Sequence, residues 1–363
     1  MRYRRAIEYA AQAKSYLTFQ KLVNYAKYRN DLGRRQVVTS SFPPQITFEA
    51  SAYCNSNCRL CPVGLKIEGP QKGFLRFDTF QKVIDKAKNY LIRIDFADWG
   101  EPLLNPDIFD MIKYGQGKRI MAALSTNLHA VKNEDDLKRI VDSGLSFITI
   151  SLHGASQESY EAYQPGRDFK ETVDKIENLI RLKRSLRRAT PIIDVVFAIT
   201  KKNQHEVRKM LQFAKDIGVD SIIYTASLNL RFYMGDADKL AELISEWAQI
   251  EPLGLTDNTV FRKGGAIELY RAVLGGKVSF DELDKLELTG RHVCLDPWRY
   301  LVVNWDGTIS LCCVDYRKHV MGDTHTESII EIWNNKRYQA VRNYLRGTGA
   351  DDSEIPCKRC IMY

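Results

Sequence analysis

The segment QITFEASAYCNSNCRLCPVG (residues 45–64) joins an apolar, β-rich run to three closely spaced cysteines. Its first seven residues predict a buried strand. Cys54, Cys58 and Cys61 follow with the spacing C-x3-C-x2-C, and no further cysteine occurs until near the C-terminus. A closed zinc site or a typical iron–sulfur cluster needs four ligands. Three thiolates therefore leave one position for a ligand from outside the protein, as in catalytic metal sites.

The remainder of the first 230 residues alternates apolar runs with amphipathic patterns. In 203–217, for example, apolar residues recur at i, i+3, i+4 and i+7, which is one face of a helix. Parallel strands need helical crossovers, so the alternation predicts an α/β protein with a parallel sheet, as an open or partial barrel. Periodicity alone does not separate this from a flat doubly wound sheet. The predicted strands are 45–51, 93–99, 120–127, 147–153, 193–200 and 221–227, and the predicted helices are 78–91, 106–117, 133–143, 157–186 (broken near Pro165-Gly166) and 203–217.

Polar residues gather where the predicted strands end. Strand two ends in DWGEP (98–102), strand three in STN (125–127) and strand four in SLHG (151–154). Chemistry in such folds lies at the carboxyl ends of the strands. Alternation along strand four places Ser151 and His153 on one side, facing a predicted ligand pocket. His153 is thus a candidate catalytic group, with a hydrogen-bonded rim histidine as the alternative.

The C-x3-C-x2-C motif after the first strand and GEP after the second resemble the radical S-adenosylmethionine (SAM) superfamily. Over about residues 45–230, the resemblance implies a partial (β/α)6 TIM-like barrel. It implies that Cys54, Cys58 and Cys61 hold a 4Fe-4S cluster whose fourth iron binds SAM, and that reductive cleavage of SAM yields a 5′-deoxyadenosyl radical. A structural zinc loop is the alternative for the cysteines, and a helix-terminal carboxylate is the alternative for Glu101. The SAM-binding residues that the resemblance implies are Gly100, Glu101, Ser125, Asn127 and Ser151.

A second group of cysteines lies near the C-terminus. YLVVN-WDG-TISLC predicts a hairpin with Asp306-Gly307 in its turn, and 326–346 predicts an amphipathic helix. By ligand count, four thiolates here fit either zinc or an iron–sulfur cluster. The region resembles SPASM and twitch domains, which implies an auxiliary 4Fe-4S cluster and hence two clusters per chain. Cys313 is then the odd thiol, either a buried hydrophobe or a hydrogen-atom donor. The implied cluster ligands are Cys294, Cys312 (preferred to Cys313 on spacing), Cys357 and Cys360.

The positive charge is concentrated at the N-terminus. The chain has a net charge of +8, and residues 1–40 hold nine basic and two acidic side chains, a balance of +7. Such an arm could bind nucleic acid, an acidic lipid surface or an anionic carrier, but a solvated helix on the outside of the main domain is favoured and nucleic acid is not expected.

No apolar stretch approaches eighteen residues and no signal peptide is visible, so we expect no transmembrane segment and a cytoplasmic location. The predicted divisions are a basic helical arm (1–44), the barrel (45–235), a helical linker (236–290) and the auxiliary domain (291–363).

Together these features predict a radical SAM oxidoreductase of the dehydrogenase type. It would take a hydrogen atom from a substrate, with an alcohol or sugar favoured, and pass an electron to the auxiliary cluster. The expected partners are a small-molecule or peptide substrate and an electron donor such as flavodoxin or ferredoxin. The alternatives are a radical SAM epimerase or peptide-modifying enzyme and, in another class, a metal-stabilised nucleic-acid-binding module.

Overall fold

One continuous sheet of nine strands organises the computed structural model, which describes residues 14–66, 72–225, 246–247, 294–312, 319–347, 355 and 357. Its strand order is β6-β5-β4-β3-β2-β1-β7-β8-β9. Strands β1 to β6 are all parallel. The strands are β1 Gln45–Phe48, β2 Arg93–Phe96, β3 Met121–Thr126, β4 Phe147–Ser151, β5 Ile192–Ala198, β6 Ser221–Thr225, β7 Tyr300–Val303, β8 Thr308–Ser310 and β9 Val320–Asp323.

Helices connect the parallel strands, as the alternation of the sequence predicts. Within the described residues this sheet is not closed, and the α/β fold with a partial barrel is confirmed. The helices are α1 Phe19–Arg34, α2 Phe77–Ala87, α3 Ile108–Gly117, α4 Glu134–Asp142, α5 Gln157–Tyr163, α6 Phe169–Ser185, α7 Val207–Ile217, α8 Asp296–Arg299, α9 Ile329–Ile332 and α10 Lys336–Leu345. None of the helices in the described ranges is long and apolar enough to cross a membrane.

The two faces of the sheet have different cores. Ile148, Ile150 and Leu152 are fully buried in the large core beneath the helices. On the inner face, a smaller cluster around Met121 and Phe147 is covered by the segment that precedes α1. The apolar core thus fills the amino-terminal half of the inner face. The carboxyl-terminal half is left to polar side chains.

Two helical predictions had different outcomes. The pattern over 157–186 divides into α5 and α6 as expected, with Gly166 at a φ of 73° between them. The single helix expected over 326–346 is wrong, because α9 ends at Ile332 and α10 begins at Lys336. The physical reason is Asn335, whose side chain accepts a hydrogen bond from the Tyr338 N–H and so caps a new helix.

The predicted C-terminal hairpin is present and extends the barrel sheet. Strands β7 and β8 are antiparallel, and Gly307 in their turn has a φ of 85°, which favours glycine. Strand β7 also pairs in parallel with β1, with Gln45 opposite Tyr300. The hairpin therefore lies directly beside the strand that leads into the cysteine loop. Apart from 246–247, the expected linker 236–290 lies outside the described residues, and the division into domains stays a prediction.

Candidate active site

The loop that carries the three cysteines rests on the turn after β2. Glu101 N–H donates to the Tyr53 carbonyl at 2.8 Å, directly before Cys54. A Cβ built on Gly100 would lie 1.7 Å from the Ser51 carbonyl oxygen. Only glycine allows the two backbones to approach this closely, so Gly100 fixes the position of the cysteine loop.

The three thiols are neighbours in an environment of low polarity. Burial raises the pKa of Cys54 to about 11 and also raises those of Cys58 and Cys61. The nearby Cys54 and Cys61 raise the pKa of Cys58 further. No three Cys, His, Asp or Glu side chains in the described ranges converge closely enough to hold a single metal ion.

Glu101 is a buried carboxylate surrounded by donors. Its Oε1 accepts from the Thr126 hydroxyl at 2.7 Å and from the Leu103 N–H at 3.0 Å, and its Oε2 accepts from the Asn127 N–H at 2.8 Å. Burial raises its pKa, although these hydrogen bonds oppose the rise. Glu101 also caps the short helical turn Pro102–Leu104, which agrees with the helix-terminus alternative. The carboxylate joins the ends of β2 and β3.

Asn127 extends this connection to the cysteine loop. Its side-chain amide donates to Asn55 Oδ1 and to Ser56 Oγ, each at 3.0 Å, and lies 3.8 Å from the Cys54 sulfur. Its own Oδ1 accepts from the His129 N–H at 2.8 Å. Asn55 and Ser56 are site residues that sequence reasoning missed, because small polar residues in a loop carry no periodic signal.

Ser125 and Ser151 lie on the inner face near the carboxyl ends of β3 and β4. Ser125 is exposed and pairs in register with Thr149, and Ser151 is half-buried. These positions border the open half of the inner face. The structure thus brings both serines to the rim, and their contact with a cofactor stays a prediction.

His153 is held within the protein. It is buried, its Nδ1 accepts from the Ala198 N–H at 3.0 Å, and its ring lies 4.3 Å from that of Tyr163. Burial lowers the pKa of His153 to about 4, so the imidazole is neutral at pH 7. These contacts agree with the rim-histidine alternative, and a catalytic role for His153 stays a prediction.

Gln164 is a further residue at this site that sequence reasoning missed. It follows α5, and the Arg59 N–H donates to the Tyr163 carbonyl at 3.0 Å, which ties this helix end to the cysteine loop. The Gln164 side chain is fully buried and lies close enough to Cys58 to oppose the rise in its pKa. Neither polar atom of its amide makes a well-formed hydrogen bond to the protein. A lone glutamine beyond a helix gives no sequence signal.

The turn after β2 contains another missed feature. Asp98 has a φ of 94°, a left-handed conformation that costs about 1–3 kcal/mol in a residue other than glycine. Its carboxylate lies near Cys61 and raises the pKa of that thiol. Backbone strain of this kind cannot be recognised from residue type. The strained turn before Gly100 is therefore part of the candidate site, because Asp98 lies near Cys61.

The C-terminal cysteines are only partly described. Cys294, Cys312 and Cys357 are half-buried reduced thiols, and Cys357 packs against the large core. Cys313 and Cys360 lie outside the described residues. The choice between Cys312 and Cys313 as a ligand, and the donor role considered for Cys313, therefore stay predictions.

The residues of the first cysteine loop fit a four-iron cluster better than a single ion. In a cubane cluster each thiolate binds a different iron, so the three sulfurs need not converge on one point. Three half-buried thiols on one loop that do not converge on a single point meet that requirement. The amide of Gln164 adds a donor beside Cys58, and such donors are common around metal ligands.

Comparison with known families agrees with this geometry. Residues 48–214 match the model described as the radical SAM superfamily, and residues 294–361 match the SPASM model, an iron–sulfur cluster-binding domain. The chain therefore contains a radical SAM domain. It carries a C-terminal SPASM domain, so it is a radical SAM enzyme for which iron–sulfur clusters and SAM binding are implied.

Known relatives are distant in sequence. The chain is 23% identical over 326 residues, 84% of its length and 86% of the relative's, to the tungsten-containing aldehyde ferredoxin oxidoreductase cofactor-modifying protein of Pyrococcus furiosus. It is 27% identical to the AdoMet-dependent heme synthase of Methanosarcina barkeri over half of each chain. Among solved structures, SuiB of Streptococcus suis bound to its precursor peptide SuiA matches 88% of this chain and 71% of SuiB, with a TM-score of 0.61 at 14% identity. That structural likeness shows the fold.

Proposed function

We propose that this chain is a radical SAM oxidoreductase with two 4Fe-4S clusters, one that generates the radical and one that accepts an electron. The observation that supports this proposal is the separation of Cys312 from the first cysteine loop along adjacent strands. The loop of Cys54, Cys58 and Cys61 follows the carboxyl end of β1. Strand β8 runs antiparallel to β7, so Cys312, just after β8, lies toward the amino end of β7, which is parallel to β1. Four residues of strand span about 13 Å. Cys312 and the first cysteine loop thus fit two separate sites.

When bound, the first cluster and SAM supply one-electron cleavage and a 5′-deoxyadenosyl radical that removes a hydrogen atom from substrate. The protein positions these groups. Gly100 lets the cysteine loop approach the turn after β2, and Glu101 and Asn127 hold the loop to β3. The half-open inner face, bordered by Ser125 and Ser151, is where substrate would lie.

Oxidation of an alcohol carbon is balanced in electrons and protons in this arrangement. A hydrogen atom would leave the carbon and a proton would leave the hydroxyl, and an auxiliary cluster held by the C-terminal cysteines would supply the acceptor for the remaining electron. The substrate loses two electrons and two protons, and 5′-deoxyadenosine carries the abstracted hydrogen. We favour an alcohol or sugar substrate for this reason.

The direct test is anaerobic incubation of reconstituted protein with SAM and a chemical reductant. We expect 5′-deoxyadenosine to form, and we expect about eight irons per chain if two clusters are present. Zinc in the C-terminal site of protein purified anaerobically would contradict the electron-acceptor role. A flavodoxin or ferredoxin would replace the chemical reductant in the cell.

A second candidate function is modification of a peptide. It is favoured by the likeness in fold to SuiB, which was solved with its precursor peptide SuiA. A short precursor gene beside the gene for this chain would favour this candidate, and sugar-pathway genes would favour the dehydrogenase. Incubation with that peptide and SAM should then give a product of altered mass.

A further inference from the structure

Helix α1 packs on the protein through its polar side chains. Lys21 and Asn24 are buried at 1% and 5% exposure, and Asp31 at 3%. The Lys21 ammonium donates to the Arg119 carbonyl, and Asn24 exchanges hydrogen bonds with the backbone of Phe42 at 2.8 and 3.0 Å. A surface helix usually buries its apolar stripe and exposes its polar face. Helix α1 instead buries polar side chains against the protein.

Its apolar side chains consequently face outward. Phe19 is 80% exposed, Leu22 is 50% and Val23 is 39% exposed, and Ala26 is also exposed. These four residues are spaced i, i+3, i+4 and i+7 and form one stripe along the helix, which we call the outer stripe. Contiguous exposed apolar surface of this kind marks a site of interaction.

Cations border the outer stripe. With about 100° of rotation per residue, Lys27 and Arg34 flank the outer stripe on one side of the helix and Arg29 flanks it on the other. All three are exposed. The only acid in 14–40 is Asp31, which is buried and accepts hydrogen bonds from Ser40 and Ser41. The exposed charge of this part of the arm is therefore entirely positive. The remaining exposed cations of 14–40 are Lys14 and Arg35.

The helix is also firmly attached, so its outward face has a fixed orientation. Beyond its C-terminal end, the Trp298 indole N–H donates to the Gln36 carbonyl at 2.7 Å, and the Arg342 guanidinium donates to the Val37 carbonyl at 3.1 Å. The Thr39 N–H donates to Asn334 Oδ1 at 3.0 Å. These contacts fix the segment after α1 to α8, to α10 and to the turn before α10.

We propose that the outer stripe of α1 binds the surface of an anionic lipid bilayer, with Phe19 and Leu22 inserted at the level of the headgroups. Apolar residues on one face, flanked by Lys and Arg, are the composition of interfacial helices, and anionic lipid attracts the flanking cations. A second copy of the chain is disfavoured, because an isologous contact would bring two sets of like charges together. Nucleic acid is disfavoured because the apolar stripe, not the cations, lies at the centre of the surface.

The test is co-sedimentation of the full chain with vesicles, at about 0.1 M salt to limit screening. Vesicles of phosphatidylcholine with about 30% phosphatidylglycerol should bind the protein, whereas pure phosphatidylcholine should bind it at least about tenfold less. The variant Phe19→Ser/Leu22→Ser should lose about tenfold in binding to the anionic vesicles. Lys27→Glu/Arg29→Glu should lose a similar factor.

A matched control replaces exposed apolar residues elsewhere. Leu186→Ser/Val320→Ser changes two side chains that are 36% and 41% exposed and far from α1 in sequence, and it should bind vesicles like the wild type. Equal binding by wild type and Phe19→Ser/Leu22→Ser would overturn the proposal. So would a wild-type dimer, seen by its mass in solution, that the same double variant converts to monomer without any binding to vesicles. Unchanged melting temperatures of the variants would show that they are folded.

Discussion

The Oε2 atom of Glu101 accepts a hydrogen bond from the Asn127 backbone N–H at 2.8 Å, and the Asn127 side chain reaches the loop of the three cysteines. A carboxylate at the end of β2 thus orders the end of β3, which in turn orders the loop after β1. The cysteines, the glutamate and the asparagine are far apart in sequence but act as one unit.

Gly100→Ala should prevent assembly of the first cluster. The added Cβ would lie 1.7 Å from the Ser51 carbonyl oxygen, so the cysteine loop must move. We expect iron per chain after anaerobic reconstitution to fall by about half, as the two-cluster assignment requires. Gly117→Ala is the matched control, because nothing lies within 4 Å of a Cβ built there. Normal iron content in Gly100→Ala would show that the close approach is not needed.

Glu101→Gln should weaken SAM binding while the chain stays folded. The new NH2 group would face a donor, either the Asn127 N–H or the pair of Thr126 and Leu103 donors. The Glu101 carboxylate is also expected to accept a charge-assisted hydrogen bond from the SAM ammonium, and losing that bond costs about 1.5–3 kcal/mol, or roughly ten- to a hundredfold in affinity. Anaerobic calorimetry with SAM measures this change. Glu134→Gln, at the exposed start of α4, serves as control, and equal SAM affinity in both variants would remove Glu101 from the site.

Gln164→Leu should make the first cluster harder to reduce. An amide N–H beside the Cys58 sulfur would stabilise the more negative reduced state, because hydrogen bonds to sulfur help to set cluster potentials. Loss of the donor should lower the midpoint potential by about 59 mV for each tenfold change in the one-electron equilibrium. Redox titration followed by electron paramagnetic resonance measures it. The exposed Gln212→Leu is the control, and an unchanged potential in Gln164→Leu would leave the buried amide without a role at the cluster.

Lys21 should make the free energy of unfolding rise with pH in the alkaline range. Burial, with Arg119 nearby, lowers the pKa of Lys21 to about 8, against about 10.4 in the unfolded chain. Between these values the unfolded chain binds more protons, so the free energy of unfolding rises with pH. Denaturation at pH 8 and pH 10 should show a larger rise for wild type than for Lys21→Met. The exposed Lys27→Met should behave like wild type, and identical slopes for all three proteins would contradict the assignment.

Sequence patterns predicted the parallel sheet because strand and helix periodicities are local. The turn residues Gly166 and Gly307 were likewise recognisable, since a left-handed backbone favours glycine. The pairing of β7 with β1 was not predictable, because it joins segments more than two hundred residues apart. Gln164 was not predictable for a similar reason, because its importance comes from its burial beside Cys58. The outward apolar stripe of α1 depends on which face packs, and periodicity does not decide that.

The central claim is that Cys54, Cys58 and Cys61 hold the cluster that cleaves SAM, and that the C-terminal cysteines hold another. The most direct measurement compares wild type with Cys54→Ala/Cys58→Ala/Cys61→Ala for 5′-deoxyadenosine formation and iron content under anaerobic, reducing conditions. We predict that wild type forms 5′-deoxyadenosine, and that the triple variant forms none but keeps about four irons. Formation of 5′-deoxyadenosine by the triple variant, or its complete loss of iron, would contradict the account.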